Sequence, residues 1–193
     1  EHTPYGPRAI AQVRSLTLSA LDELASRGVK ALVIACNTAT AAALADARER
    51  YWIDAGIPVI EVITPAARQS VSATRNRHVG VIGTKATIQS EAYLRALAAV
   101  PGLRVTQQAC PAFVDFVEAG VTTGDEIEAV ATEYLTPLKA AGVDTLILGC
   151  THYPLLTGVI SRVMGDGVTL VTSSEATANM TYNELVDRAL LHD

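Results

Sequence analysis

Charge is scarce in this 193-residue chain: Asp, Glu, Lys and Arg together make up 18 %, against about 25 % in an average soluble domain. The 15 basic residues are scattered and the formal net charge is −5, which argues against the dense positive face of a nucleic-acid-binding surface. Long apolar runs are missing as well. None approaches the ~18 residues that span a bilayer, and no basic start is followed by an apolar stretch of the secretory type. Neither a membrane nor a secretory leader is therefore expected. Cysteine is limited to Cys36, Cys110 and Cys150, an odd, low number that fits free thiols in a reducing cytoplasm rather than a disulfide framework. The four histidines, His2, His78, His152 and His192, form no zinc-type ligand spacing with them, so no metal is expected.

What the chain has in quantity is apolar residues, 49 % of the total, enough for a sizeable core. They fall into short runs that alternate with helix-period segments. Ile10, Val13, Leu16, Leu21 and Leu24 predict a helix over 8–27, stopped by Gly28. Residues 31–35 read as a strand buried on both faces. A helix over 38–51, a strand over 58–63 and a helix over 65–74 follow. The pattern then restarts: strand 78–83, helix 87–99, strand 103–109, helices 113–119 and 124–140, strand 145–149, helix 154–164, strand 168–171 and a final helix from about 174. Alternation of this kind predicts an α/β fold with parallel sheets and helices on both faces.

An internal repeat organises these elements. Gly28-Val29-Lys30-Ala31-Leu32-Val33-Ile34-Ala35-Cys36 aligns with Gly142-Val143-Asp144-Thr145-Leu146-Ile147-Leu148-Gly149-Cys150. Each copy runs from a helix through Gly-Val and a buried strand to a cysteine and polar residues that open a new helix. Two pseudo-symmetric α/β domains are therefore expected, with an active site in the cleft between them that receives one cysteine from each. The copies are unequal. Cys150 lies 71 residues after the strand start at Val79, whereas only 35 residues precede Cys36. The first half is thus expected to lack an N-terminal strand–loop–helix of roughly 30–40 residues, about one βαβ repeat; simply unequal halves are the alternative.

Cys36-Asn37-Thr38 and Cys150-Thr151-His152-Tyr153-Pro154 both sit where a strand gives way to a helix. Ligands of parallel α/β sheets bind at the carboxyl ends of strands, and helix N-termini suit a carboxylate and stabilise a thiolate. Either cysteine alone is better read as a small buried hydrophobe; the same placement twice in a repeat is not. Thr151 or His152 is expected to cap the second helix, with Pro154 in its first turn, and His152 is close enough to tune Cys150. Cys110 has no counterpart in the repeat and reads as structural. Thr84 and Thr87 end a strand and open a helix, so they either face the cleft or only cap. Tyr5-Gly6 reads locally as a turn, and Glu118 as a solvated charge.

The segments 35–40 and 148–155 resemble the two signature segments of the glutamate racemases. Pro4-Tyr5-Gly6, Pro58-Val59-Ile60, Val81-Ile82-Gly83-Thr84 and Phe113-Val114-Asp115-Phe116-Val117-Glu118 are similar to that family too, in order along the whole chain. The resemblance implies cofactor-independent racemisation of L-glutamate to D-glutamate for peptidoglycan, with Cys36 and Cys150 as the two proton-transfer groups. His152 and Glu118 would assist Cys150. Tyr5, Gly6, Asn37, Thr38, Thr84, Thr87, Thr151 and His152 would hold the substrate. It further implies a cytoplasmic homodimer, with a first domain of residues 1–63 plus about 172–193 and a second of 64–171. The family pattern begins with a strand and an Asp-Ser-Gly loop, whose aspartate serves the first cysteine; this chain holds no such segment. The alternatives are a racemase of aspartate or another small amino acid, or an inactive racemase acting only as a binding protein. Binding of DNA gyrase is known in the family, but no segment here is a signature for it.

Overall fold

The structure is a computed structural model that describes residues 4–191; His2 and His192 lie outside the described residues. All six expected strands form. Helix α1 (Ile10–Ser26) leads to β1 (Leu32–Ile34), α2 (Asn37–Ala47) and a π-helical turn (Arg48–Ile53), then β2 (Val59–Glu61) and α3 (Ile63–Ala73). The second half runs β3 (His78–Gly83), α4 (Lys85–Gln89), α5 (Ala92–Leu97), β4 (Arg104–Ala109), α6 (Ala112–Glu118), α7 (Asp125–Ala140) and β5 (Thr145–Gly149). A 3-10 turn (Tyr153–Leu156), α8 (Thr157–Met164), β6 (Thr169–Thr172) and α9 (Ser173–Asp187) complete it. The strands build two sheets, β1-β2 and β4-β3-β5-β6, and every pairing is parallel.

The repeat seen in the sequence has a backbone cause. Gly28 and Gly142 end α1 and α7 at φ of 72° and 76°, the left-handed conformation that closes a helix and that glycine adopts without a Cβ penalty. Each chain then turns directly into the strand that carries its cysteine. In the larger sheet the strand faces divide cleanly. Ile82, Leu146 and Leu148 pack with Phe113, Ile127, Leu135, Leu138 and Ile160 of α6, α7 and α8. Val79, Val81 and Ile147 pack on the other face with Ile63, Ala66, Tyr93 and Leu97 of α3 and α5. Successive side chains point to opposite faces, so a sheet covered on both sides needs unbroken apolar strands.

The smaller sheet differs from its expected form. Leu32 and Ile34 enter a core with Leu21, Ala39, Ala47 and Tyr51, but Val33, on the opposite face, stays 43 % exposed. The strand at 31–35 is therefore buried on one face only among the described residues. Three expected helices are also subdivided, that over 154–164 into the 3-10 turn and α8. The helix expected over 87–99 breaks at Glu91, which sits at φ 55°. There the Ser90 hydroxyl donates to the Thr87 carbonyl at 2.6 Å and accepts from the Ala92 N–H at 3.2 Å, replacing helical bonds. The helix expected over 38–51 ends at Ala47 in the π-helical turn.

Two buried carboxylates tie loops to the sheets. Glu61, fully buried, accepts from the Ile63 N–H at 2.6 Å and the Thr64 N–H at 3.2 Å, and so caps α3. Asp144 accepts from the Thr74 hydroxyl at 2.6 Å and from the Arg75 and Asn76 N–H groups, each at 2.7 Å. Burial works to raise its pKa, but these donors outweigh it and hold the carboxyl below its ordinary value. A depressed folded-state pKa contributes stability above the unfolded value of about 3.9 that is lost as pH falls through the folded one. Asp144→Ala is expected to cost about 3 kcal/mol at neutral pH and to flatten the acid limb of the stability curve. Urea denaturation between about pH 2 and 7 checks this; an unchanged acid limb would refute the assignment.

Candidate active site

Parallel pairing brings the strand ends together. Gly83 at the end of β3 is in register with Gly149 at the end of β5, so the next residues, Thr84 and Cys150, leave adjacent strands at the same edge. Close approach requires a glycine at 149 and leaves little room for a side chain at 83. A Cβ at Gly149 would lie 2.7 Å from the Ile82 carbonyl oxygen and 3.1 Å from Tyr93 Cε2, and one at Gly83 would lie 3.3 Å from Thr87 Cβ. Cys36 follows β1 and stands at the N-cap of α2, its carbonyl accepting from the Thr40 N–H at 2.8 Å. Its side chain is partly exposed, and that of Cys150 is 8 % exposed. A charge on Cys36 is felt by Cys150, so the two thiols share one electrostatic environment.

Three hydroxyls join the two halves beside them. Thr38, at the start of α2, meets Thr84 at 2.9 Å and Thr87 at 3.1 Å, and Thr84 and Thr87 are 3.1 Å apart. Thr84 also caps α4 by accepting from the Thr87 N–H at 3.3 Å. Both readings of these threonines therefore hold at once: they cap, and they face the other half. Gly6 lies against Thr84, where a Cβ would come within 3.0 Å of Thr84 Cγ2. Next to it, Pro4, Pro7, Thr84, Pro111 and Val114 line a pocket of about 150 Å³. The Tyr5 side chain instead packs on the core of the first half and lines a groove along α1.

On the Cys150 side two further side chains line up with the thiol. His152 Nε2 is 2.6 Å from Glu118 Oε1, at the end of α6, and its Nδ1 is 3.8 Å from Cys150 Sγ. A neutral imidazole that donates Nε2–H to the carboxylate presents the Nδ1 lone pair to sulfur. Glu118, a solvated charge on local reading, thus has a defined partner. The expected capping does not occur. His152 precedes the 3-10 turn without a side-chain cap, and Thr151 is exposed. Pro154 does enter the first turn, but α8 begins only at Thr157, so Cys150 lacks the immediate α-helical N-terminus that Cys36 has. Burial pushes the Cys150 thiol up to about 11, opposed by N–H groups of His152 and Tyr153 and aided by Cys36. The expected helix-end lowering is therefore outweighed at this cysteine. Cys110 is fully buried in the core and its thiol is pushed up by burial, as a structural cysteine should be.

One site residue has no signal in the sequence. Tyr93 reads as an apolar position of a short helix, yet its hydroxyl donates to Asn37 Oδ1 at 2.7 Å. Among the described residues no three His, Cys, Asp or Glu side chains converge as a metal would require, and no helix is long and apolar enough to cross a membrane.

Comparison with known proteins agrees with this fold. The model of the family described as Asp/Glu/hydantoin racemase matches residues 1–181. A glutamate racemase of Parafrankia sp. is 60 % identical over 192 residues, 100 % of this chain and 68 % of its own length. That of Beutenbergia cavernae is 62 % identical over 189 residues, 98 % of this chain and 64 % of its own. Among solved structures, a glutamate racemase isoform from Bacillus anthracis superimposes with a TM-score of 0.89 at 40 % identity, over 100 % of this chain and 71 % of that one. The Francisella tularensis glutamate racemase in complex with D-glutamate gives 0.89 at 36 % identity, over 99 % and 70 %. The chain thus spans about two thirds of the length of these relatives.

The raised thiol makes a direct prediction. In the ligand-free protein Cys150 stays protonated at neutral pH, so its alkylation by iodoacetamide, followed by peptide mass spectrometry, should keep accelerating up to about pH 11. A plateau near the ordinary thiol value of about 8.5 would contradict the burial effect.

Proposed function

The chain belongs to the Asp/Glu/hydantoin racemase family, and from that premise we propose that its protein interconverts L- and D-glutamate by a two-base mechanism carried by Cys36 and Cys150. The observation that carries the proposal is the pair of cysteines from the two copies of the repeat, each at a strand's carboxyl end and coupled in charge. Racemisation removes the Cα proton from one face and returns one to the other, which two opposed acid–base groups can do. In one direction Cys36 is the thiolate base and Cys150 the thiol acid; in the other the roles exchange. The distances 3.8 and 2.6 Å along Cys150, His152 and Glu118 support a relay on the second side. His152 Nδ1 takes the Cys150 proton, and Glu118 stabilises the imidazolium that forms. The high pKa of the buried thiol makes such help necessary.

The substrate would lie between the cysteine loops. The N–H groups at the start of α2, Asn37, Thr38, Thr84 and Thr87 would donate to its carboxylates and offset the negative charge that develops at Cα, with Gly6, Thr151 and His152 completing the enclosure. No cofactor takes part in this scheme. In this reading one domain is residues 1–63 with about 172–193 and the other 64–171; separate apolar clusters gather residues between Tyr5 and Val59 and between Ile82 and Leu170. D-glutamate made in the cytoplasm by a homodimer of this kind would supply peptidoglycan. The glutamate racemases at 57–62 % identity favour glutamate over aspartate as substrate.

The test is racemisation of each glutamate enantiomer by the full-length protein, followed by circular dichroism. The equilibrium constant is unity by symmetry, so any variant lowers kcat/KM equally in both directions. Cys36→Ser and Cys150→Ser are each expected to lower it by about a thousandfold or more, and His152→Gln by about a hundredfold. Wild-type turnover in either cysteine variant would sink the two-base scheme.

A further inference from the structure

Asn37 presents an imbalance that the scheme above leaves unexplained. The residue is 2 % exposed. Its Oδ1 accepts the Tyr93 hydroxyl at 2.7 Å, while its Nδ2, also buried, has no partner among the described residues. A buried amide donor left unpaired is destabilising and calls for an explanation. Flipping the amide does not remove the problem. Nδ2 would then donate to the phenol oxygen, and the Tyr93 O–H would lose the one acceptor it has among the described residues. The arrangement with Tyr93 donating keeps the phenol proton bonded. Burial, with the charges of Glu61 and Cys150, raises the Tyr93 phenol far above its ordinary value, so it remains a protonated donor.

Tyr93 also reaches the second cysteine loop. A Cβ on Gly149, the residue before Cys150, would come within 3.1 Å of the tyrosine ring. One side chain on α5 thus touches the residue after Cys36 and the residue before Cys150. Its ring belongs to the core between α3 and the large sheet, which makes it a rigid reference for both loops.

We propose that Tyr93 is a positioning residue, fixing the Asn37 amide with its Nδ2 kept free to donate to a carboxylate oxygen of the substrate, and bracing the Cys150 loop through Gly149. The inference rests on the reading of Asn37 as a substrate-holding residue. It adds the device that sets which end of the amide the substrate meets. A donor there favours an anionic oxygen and disfavours an ammonium group, so the orientation also contributes to which way round an amino acid binds.

The experiment is a double-mutant cycle on the full-length protein with Tyr93→Phe, Asn37→Ala and the double variant. Steady-state kinetics, glutamate binding by calorimetry and thermal melting are measured on each. Tyr93→Phe is expected to raise KM and Kd for glutamate by about tenfold while kcat changes less than about threefold. In the Asn37→Ala background it should add almost nothing, because the group it positions is gone. Asn37→Asp supplies a second arm: it keeps an acceptor for Tyr93 but has no Nδ2 donor, and should bind glutamate more weakly with little change in melting temperature. Additive effects of Tyr93→Phe and Asn37→Ala, a loss of melting temperature without a change in KM or Kd, or wild-type binding by Asn37→Asp would each overturn the inference. A wild-type protein that binds glutamate without racemising it would overturn the two-base reading alone, since the Kd comparison still decides the role of Tyr93. If the wild-type protein neither binds nor converts glutamate, both fall.

Discussion

Parallel pairing decides which residues of this chain can meet. When all strands of a sheet run the same way, their carboxyl ends open on one edge, and whatever follows those ends is gathered there. The register of Gly83 with Gly149 puts Thr84 beside Cys150, and Cys36 enters from the smaller sheet at the start of α2. Everything else in the site is an adjustment to that placement. Gly149 lets its strand approach Ile82 more closely than any Cβ would permit. Tyr93 packs against Gly149, and α4 opens at Thr84 on the same edge. Three threonine hydroxyls then tie one half to the other.

Much of this was legible in the sequence because it rests on local pattern. The six strands are apolar runs bounded by glycine or by helix signals, and the duplicated Gly-Val-strand-cysteine unit marks two loops that each leave a strand end to open a helix or turn. What was not legible depends on distance in space. Glu118 and His152 are 34 residues apart, and each alone is an ordinary surface group; only the packing of α6 beside the Cys150 loop makes them a pair. Tyr93 and Asn37 are 56 residues apart, and a tyrosine at a core position of a helix has no mark that distinguishes a positioning role from filling. The break at Glu91 was missed because helix periodicity tracks side-chain burial. It is indifferent to a serine that redirects backbone hydrogen bonds. The Val33 exposure was missed because an apolar run reads the same whether one face or both are covered.

The cysteines themselves show why position in a repeat does not guarantee equal chemistry. Cys36 is partly exposed at the N-cap of an α-helix, where oriented N–H groups favour a negative charge. Cys150 opens a 3-10 turn beneath a packed core, and burial dominates its ionisation. Beside it, His152 stands 3.8 Å from the sulfur and Glu118 2.6 Å from His152.

The contrast between threonine and asparagine in the cleft follows from what each group can satisfy by itself. A hydroxyl is one donor and two acceptors, so the Thr38, Thr84 and Thr87 side chains can close a ring in which each gives one hydrogen and takes another. Such a ring seals the contact between halves with no group left over, and each hydroxyl can turn its hydrogen elsewhere without moving its oxygen. An amide has no such freedom, since its donor and acceptor ends are fixed in one plane. Once Tyr93 claims Oδ1, the direction of Nδ2 is settled and its unmet demand is local and permanent until an acceptor arrives. A cleft built from both kinds of group combines a contact that can rearrange at low cost with one donor that cannot, and the rigid donor is the one able to discriminate between oxygen and ammonium.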